Sequence, residues 1–134
     1  MFAVEVRDRI MIGHSLPDPF FGPAQNMHGA TFVVDVAFFR ETLTAQNVVV
    51  DIGAALETLA AVLKPLKYQN LDALPAFSGK LTTTEFLCRH IFDAMADAAR
   101  KGALGADGRS LAKLRVTLHE TDLARAWFEG PIGT

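Results

Sequence analysis

Two histidines flank the gap between two alternating sequence runs. His14 closes a run over residues 2 to 14, and His28 opens another over residues 28 to 39. Because side chains alternate along a strand, each histidine shares a face with the apolar residues of its own run. A catalytic zinc ion usually takes three protein ligands, and this pair supplies two. Ala30, two residues after His28, supplies none, so the alternative is a pair of buried, hydrogen-bonded histidines.

A carboxylate and a threonine run are the candidates for ligand binding. Glu120 is in phase with the apolar residues of a predicted strand. A carboxylate there needs donors, such as the paired N–H groups of a 2-aminopyrimidinone edge. The alternative is that Glu120 lies at the strand's end and faces solvent. Thr82 and Glu85 fit a capping box, whereas Thr83 and Thr84 at a helix N-terminus could bind polar ligand atoms.

The other reactive side chains have structural interpretations. Cys88 lies in a helical pattern, so we interpret it as a packing residue, and a lone cysteine excludes an internal disulfide. His90 and His119 are out of phase with the first pair, which indicates surface or interface histidines. Asp51 precedes a helical pattern and is better explained as its N-cap than as a metal ligand.

Composition limits the classes of protein. The chain has 134 residues, of which 50% are hydrophobic, and a formal charge of -2. This length predicts a single domain over residues 1–134. The chain has no basic run to bind nucleic acid or an anionic membrane. No apolar stretch is as long as a membrane span, and the charged N-terminus is unlike a signal peptide, so we expect a cytoplasmic protein.

The element order predicts an α+β fold with two helices on one face of a four-stranded antiparallel sheet. The first two strands flank a Pro/Gly-rich loop that the pair Phe20 and Phe21 is expected to anchor. A helix capped by Asp51 stops near Pro65, and a second starts at the threonine run and ends at Gly102. Two strands follow, near residues 111 to 120 and 124 to 129. The free sheet edges predict a homo-oligomer.

The order of these motifs resembles a known family. His14, the His28-Gly29 dipeptide, the valine run before Asp51, the threonine run before Glu85, and Leu118-His119-Glu120-Thr121 occur in a recognisable sequence. Over essentially its full length the chain is similar to the 6-pyruvoyl-tetrahydropterin synthase and 6-carboxy-tetrahydropterin synthase family. This resemblance implies the tunnelling fold, in which sheets of neighbouring subunits join into a β-barrel of trimers or hexamers with ligand sites between subunits.

The resemblance also implies roles for residues. Zinc ligands map onto His14 and His28, the pterin-anchoring glutamate maps onto Glu120, and assisting threonines map onto Thr83 and Thr84. The third zinc ligand maps onto Ala30, so the zinc site has two of its three ligands. The family's catalytic cysteine maps onto Ala24, and its Asp-His pair maps onto Lys67 and Tyr68.

Because these losses fall on the reaction centre, the standard synthase mechanism is not expected. The leading hypothesis is a diverged member that binds a pterin or related ring with altered or lost lyase chemistry. Tyr68 or Lys67 would be the replacement acid or base. The alternatives are a non-catalytic oligomeric scaffold or regulatory paralogue, and an enzyme whose metal site a partner subunit or another residue completes.

Overall fold

The computed structural model describes residues 1–133 and contains one antiparallel sheet. Its strands are β1 (Phe2–His14), β2 (His28–Arg40), β3 (Lys113–His119) and β4 (Arg125–Gly130). They follow one another across the sheet in the order β1-β2-β3-β4. The sheet confirms the predicted architecture, and both long strands begin where the alternating pattern predicts.

Two α-helices connect β2 to β3. Helix α1 (Ile52–Leu63) begins after Asp51, whose side chain accepts a hydrogen bond from the backbone N–H of Ala54, as predicted. Helix α2 (Thr84–Arg100) is longer and follows an irregular stretch containing short 3-10 turns. Among residues 1–133, no helix is long and apolar enough to cross a membrane.

The hydrophobic core lies between the helices and one face of the sheet. The even-numbered β2 residues from Phe32 to Phe38 are fully buried on that face, and apolar residues of both helices pack against them. The main members are Phe32, Val34, Val36, Phe38, Leu59, Leu63, Leu87, Ile91 and Met95. The opposite face of the sheet therefore carries no helix, and β1 and β4 are its two edges.

The loop between β1 and β2 differs from its prediction. Part of it forms a 3-10 segment, Pro19–Gln25, in which no residue is buried. Phe20 is 87% exposed and contacts the ring of Phe21, so the expectation that this pair anchors the loop is wrong. Leu16, which is 8% exposed, is the buried residue at the start of the loop. The apolar side chain that anchors the loop thus lies next to the end of β1.

Candidate functional site

The two histidines of the first prediction are direct neighbours. His14, the last residue of β1, pairs with His28, the first residue of β2. Their ring centroids are 4.6 Å apart, with the ring planes inclined by 62°. His14 is 4% exposed, whereas His28 is half-buried. Strand pairing therefore places two imidazoles side by side at one end of the sheet.

Both rings are held through their Nδ1 atoms. Nδ1 of His28 donates to the backbone carbonyl of Asn26 at 2.8 Å. Because a carbonyl only accepts, this contact places a proton on Nδ1, and in the neutral ring the lone pair is then on Nε2. Nδ1 of His14 lies 3.0 Å from the hydroxyl oxygen of Thr82. Burial, and then the neighbouring His28, lower the pKa of His14, which favours its neutral form at physiological pH.

The pair lacks a third metal ligand. Ala30 lies on the same face of β2 as His28 and is half-buried. Within residues 1–133, no group of three or more histidine, cysteine, aspartate or glutamate side chains is arranged to hold a metal ion. A zinc centre with three protein ligands therefore does not fit the residues of one chain.

Glu120 lies at the same end of the sheet. Strand β3 ends at His119, so Glu120 falls in the following turn and its side chain is exposed. In the single chain the Glu120 side chain therefore faces solvent, and whether it binds a ligand stays a prediction. Burial has the largest effect on the pKa of His14, but the charges of Asp72 and Glu120 oppose it. Among the described side chains, none forms an ion pair or hydrogen bond with the Glu120 carboxylate, which leaves both oxygens open to a ligand.

The threonine run begins helix α2 one residue later than the sequence suggested. Thr83 is the N-cap, and its hydroxyl accepts a hydrogen bond from the backbone N–H of Phe86 at 3.1 Å. The predicted capping box of Thr82 and Glu85 is therefore wrong. Thr82 is 1% exposed and contacts His14 instead, while Thr84 in the first turn is 7% exposed. Consecutive threonines gave no signal to tell which of them caps the helix.

Lys67 and Tyr68 lie along the outer edge of β1. The Lys67 ammonium is 3.2 Å from a carboxylate oxygen of Asp8. Asp8 is six residues from His14 along an extended strand, about 20 Å at roughly 3.4 Å per residue. Tyr68 is 81% exposed, and its backbone N–H donates to the carbonyl of Met11 at 2.7 Å. The ion pair with Asp8 thus holds the Lys67 ammonium away from the histidine pair of its own chain, and the catalytic role of both residues stays a prediction.

The remaining nucleophile candidates are unsuited to proton transfer. Ala24, at the position of the family's cysteine, contributes a methyl group, and its backbone carbonyl accepts from the N–H of Leu16 at 3.1 Å. Cys88 is fully buried with its Sγ 3.3 Å from the carbonyl of Ala126. Burial raises the pKa of the Cys88 thiol to about 11, so the packing interpretation holds.

An ion-paired cluster on the helix-free face was not expected from the sequence. Asp35 is 4% exposed and accepts from Nε and Nη2 of Arg7 at 2.6 and 2.9 Å. Nε2 of His119 donates to the same carboxylate at 2.8 Å. The hydrogen bonds from Arg7 hold the pKa of Asp35 below its usual value despite burial. His119 thus contacts a carboxylate on the neighbouring strand β2, and the cluster as a whole spans three strands, which alternation alone does not reveal.

Comparison with known families identifies the chain. A family model described as 6-pyruvoyl tetrahydropterin synthase matches residues 3–131. The chain belongs to the 6-pyruvoyl tetrahydropterin synthase family. This match includes both histidines and reaches from β1 through β4, and it confirms the family resemblance seen in the sequence. Among curated proteins, none matches the chain.

Solved structures of this family share the fold. The 6-pyruvoyl tetrahydropterin synthase of Caenorhabditis elegans superposes with a TM-score of 0.80 at 21% identity, covering 96% of this chain and 95% of that one. The Plasmodium vivax synthase gives 0.76 at 16% identity, covering 98% and 99%. An uncharacterized protein from Wolinella succinogenes gives 0.66 at 12% identity, covering 95% and 97%. At these identities the likeness shows the tunnelling fold and not the reaction.

Proposed function

We propose that this chain is a diverged member of the family that binds a pterin or related purine-like ring through Glu120, with altered or lost lyase chemistry. The observation that carries this proposal is the Glu120 carboxylate. It is exposed and has no protein partner among the described side chains, and its charge acts on His14 at the same end of the sheet. An exposed carboxylate with no partner among the described side chains is suited to a ligand rather than to folding.

The chemistry of a carboxylate indicates the ligand's recognition edge. Two oxygens accept two parallel hydrogen bonds, and the N–H groups of a 2-amino-4-oxopyrimidine edge are two neighbouring donors with matching geometry. In this proposal Thr83 and Thr84 assist from the first turn of α2, where backbone N–H groups lie free of helical partners. Thr83 is the better placed of the two, because Thr84 is buried.

The reaction is the part of the family's function that we propose has changed. Ala30 and Ala24 supply neither a metal ligand nor a proton donor, and acid–base groups typically accelerate a reaction by roughly a hundredfold to ten-thousandfold. Any acid–base chemistry that remains is assigned to Tyr68 or Lys67. Because Lys67 is paired with Asp8 and the Tyr68 side chain is exposed at the outer edge of β1, we assign them to the site of a neighbouring chain. The proposal therefore includes a homo-oligomer, a trimer or a hexamer.

Ring binding is tested by titrating the purified protein with neopterin and sepiapterin and following the ligand by fluorescence and calorimetry. We expect Glu120→Gln to weaken binding by roughly ten- to a hundredfold, because it removes charge-assisted hydrogen bonds. Glu57→Gln is the matched control, since Glu57 is an exposed carboxylate on α1. Equal affinity in the Glu120→Gln protein would overturn the assignment of Glu120. No binding by the unaltered protein would favour the scaffold alternative.

A further inference from the structure

The histidine pair has the internal arrangement of two metal ligands. In protein metal sites, a ligating imidazole usually holds its second ring nitrogen in a hydrogen bond to a carbonyl, a carboxylate or water, which fixes the ring. Here Nδ1 of His28 is held by the carbonyl of Asn26, and Nδ1 of His14 by the hydroxyl of Thr82. Nε2 of His28 carries a lone pair, and the two rings are in contact. Both side chains are therefore oriented by the fold before any ligand binds.

The missing third donor can be assigned to one position. Residue 30 lies on the same strand face as His28, about 7 Å along β2 from it, and is diagonal to His14 across the β1–β2 pair. Ala30 fills this position with a methyl group. The carboxylate of Asp72 accepts hydrogen bonds from the backbone N–H and the hydroxyl of Ser15 and does not form a three-ligand group with the pair. In the part of the chain that the structure describes, no third ligand joins the pair.

We infer that His14 and His28 form a metal half-site: the unaltered chain retains no stoichiometric zinc, and an imidazole at position 30 is sufficient to complete the site. Two neutral imidazoles leave half of a tetrahedral zinc ion to water, which gives weak and reversible binding. Three imidazoles make the ligand set of an open zinc centre. This inference concerns metal content alone and does not depend on ring binding by Glu120.

The test compares zinc content in proteins purified without a polyhistidine tag and without added metal. Elemental analysis of the unaltered protein is expected to give far less than one zinc per chain, and Ala30→His about one. Thr31→His is the matched control, because it adds an imidazole at the adjacent, exposed position on the opposite face of β2. Its zinc content is expected to equal that of the unaltered protein.

A stability measurement gives a second readout. Zinc is expected to raise the Tm of Ala30→His by several degrees, since a ligand that binds only the folded state stabilises it. The added metal should leave the Tm of Ala30→His/His28→Ala unchanged. Ala30→Cys repeats the test with a smaller zinc ligand should histidine at this half-buried position prevent folding.

One zinc per chain in the unaltered protein, or folded Ala30→His and Ala30→Cys proteins without zinc, would overturn the inference. Ring binding by Glu120 is tested without metal. Failure of that proposal is therefore distinguishable from failure of the metal half-site inference.

Discussion

The hydroxyl of Thr82 fixes the imidazole of His14, and this contact joins two distant parts of the chain. The two residues are 68 positions apart. Thr82 is 1% exposed, so water has little access to replace its hydroxyl. The orientation of the buried His14 ring therefore depends on Thr82, a residue whose sequence motif predicts a helix cap instead.

Thr82→Val tests this contact with little change in side-chain shape. We expect the free energy of unfolding to fall by about 1–3 kcal/mol, because Nδ1 of buried His14 loses its hydrogen-bond partner. Urea unfolding followed by circular dichroism measures the change. Thr31→Val is the control, because Thr31 is exposed on β2. A Thr82→Val protein as stable as the control would show that the contact contributes little.

The site residues illustrate what a single sequence can and cannot establish. Alternation predicted that His14 and His28 point with the apolar side chains, but the loop between them is long enough to allow several strand registers. Only the pairing of β1 with β2 shows that the rings touch. The roles of Thr82 and Asp35 depend on contacts between residues far apart in sequence, and no local pattern encodes them.

At the scale of the elements, period-two and helical patterns predicted strands and helices to within a few residues. The Asp51 cap was predictable because cap chemistry is local. The start of α2 was displaced by one residue, since tertiary contact with His14 decided which threonine was free to cap the helix. The failure at Phe20 has a similar cause, because aromatic composition does not reveal whether a loop residue finds a partner in the core.

The cluster on the helix-free face joins β1, β2 and β3 through one carboxylate. Because Arg7 and His119 favour the charged form of Asp35, its pKa in the folded state is below the usual value. A depressed carboxyl pKa contributes stability that is present above the unfolded-state pKa and is lost as the pH falls through the folded-state pKa. This contribution should therefore be complete at neutral pH and decline below about pH 4.

Asp35→Asn tests this dependence. We expect the variant to be less stable at neutral pH and to lose less stability than the unaltered protein between pH 5 and pH 3, the range set by the unfolded carboxyl pKa of about 4. Urea midpoints measured across that range provide the comparison. Asp93→Asn is the control, because the ion pair between Asp93 and Arg89 has both side chains 59% exposed. Identical pH profiles for Asp35→Asn and the unaltered protein would contradict the argument.

At the scale of the whole molecule, the two sheet edges and their exposed apolar side chains favour association. Trp127 on β4 is 59% exposed, and Phe2 on β1 is 50% exposed. The Arg115 guanidinium lies 5.9 Å from the centre of the Trp127 ring. Large aromatic residues beside arginine are typical of the central parts of protein interfaces.

We predict that the purified protein has three or six times the mass of one chain when measured by light scattering after size-exclusion chromatography. Trp127→Asp is expected to shift this mass toward one chain, because it places a charge in the apolar part of the interface. Leu123→Asp is the control, since Leu123 is 91% exposed in the turn before β4. A monomeric unaltered protein would contradict the prediction, as would a Trp127→Asp assembly of unchanged mass.

The segment that follows α1 has a consequence for how such an assembly can grow. The N–H of Tyr68 donates to Met11, and the N–H of Gly13 donates to the carbonyl of Gln69 at 2.9 Å. The backbone carbonyl of Met11 and the N–H of Gly13, which face away from β2, are therefore already hydrogen-bonded. An incoming strand cannot pair with this last part of β1. At this edge of the sheet a neighbour can add only along the earlier residues of β1. Sheet extension along this edge thus stops short of His14, so an added strand would not cover the end of β1 that carries the histidine.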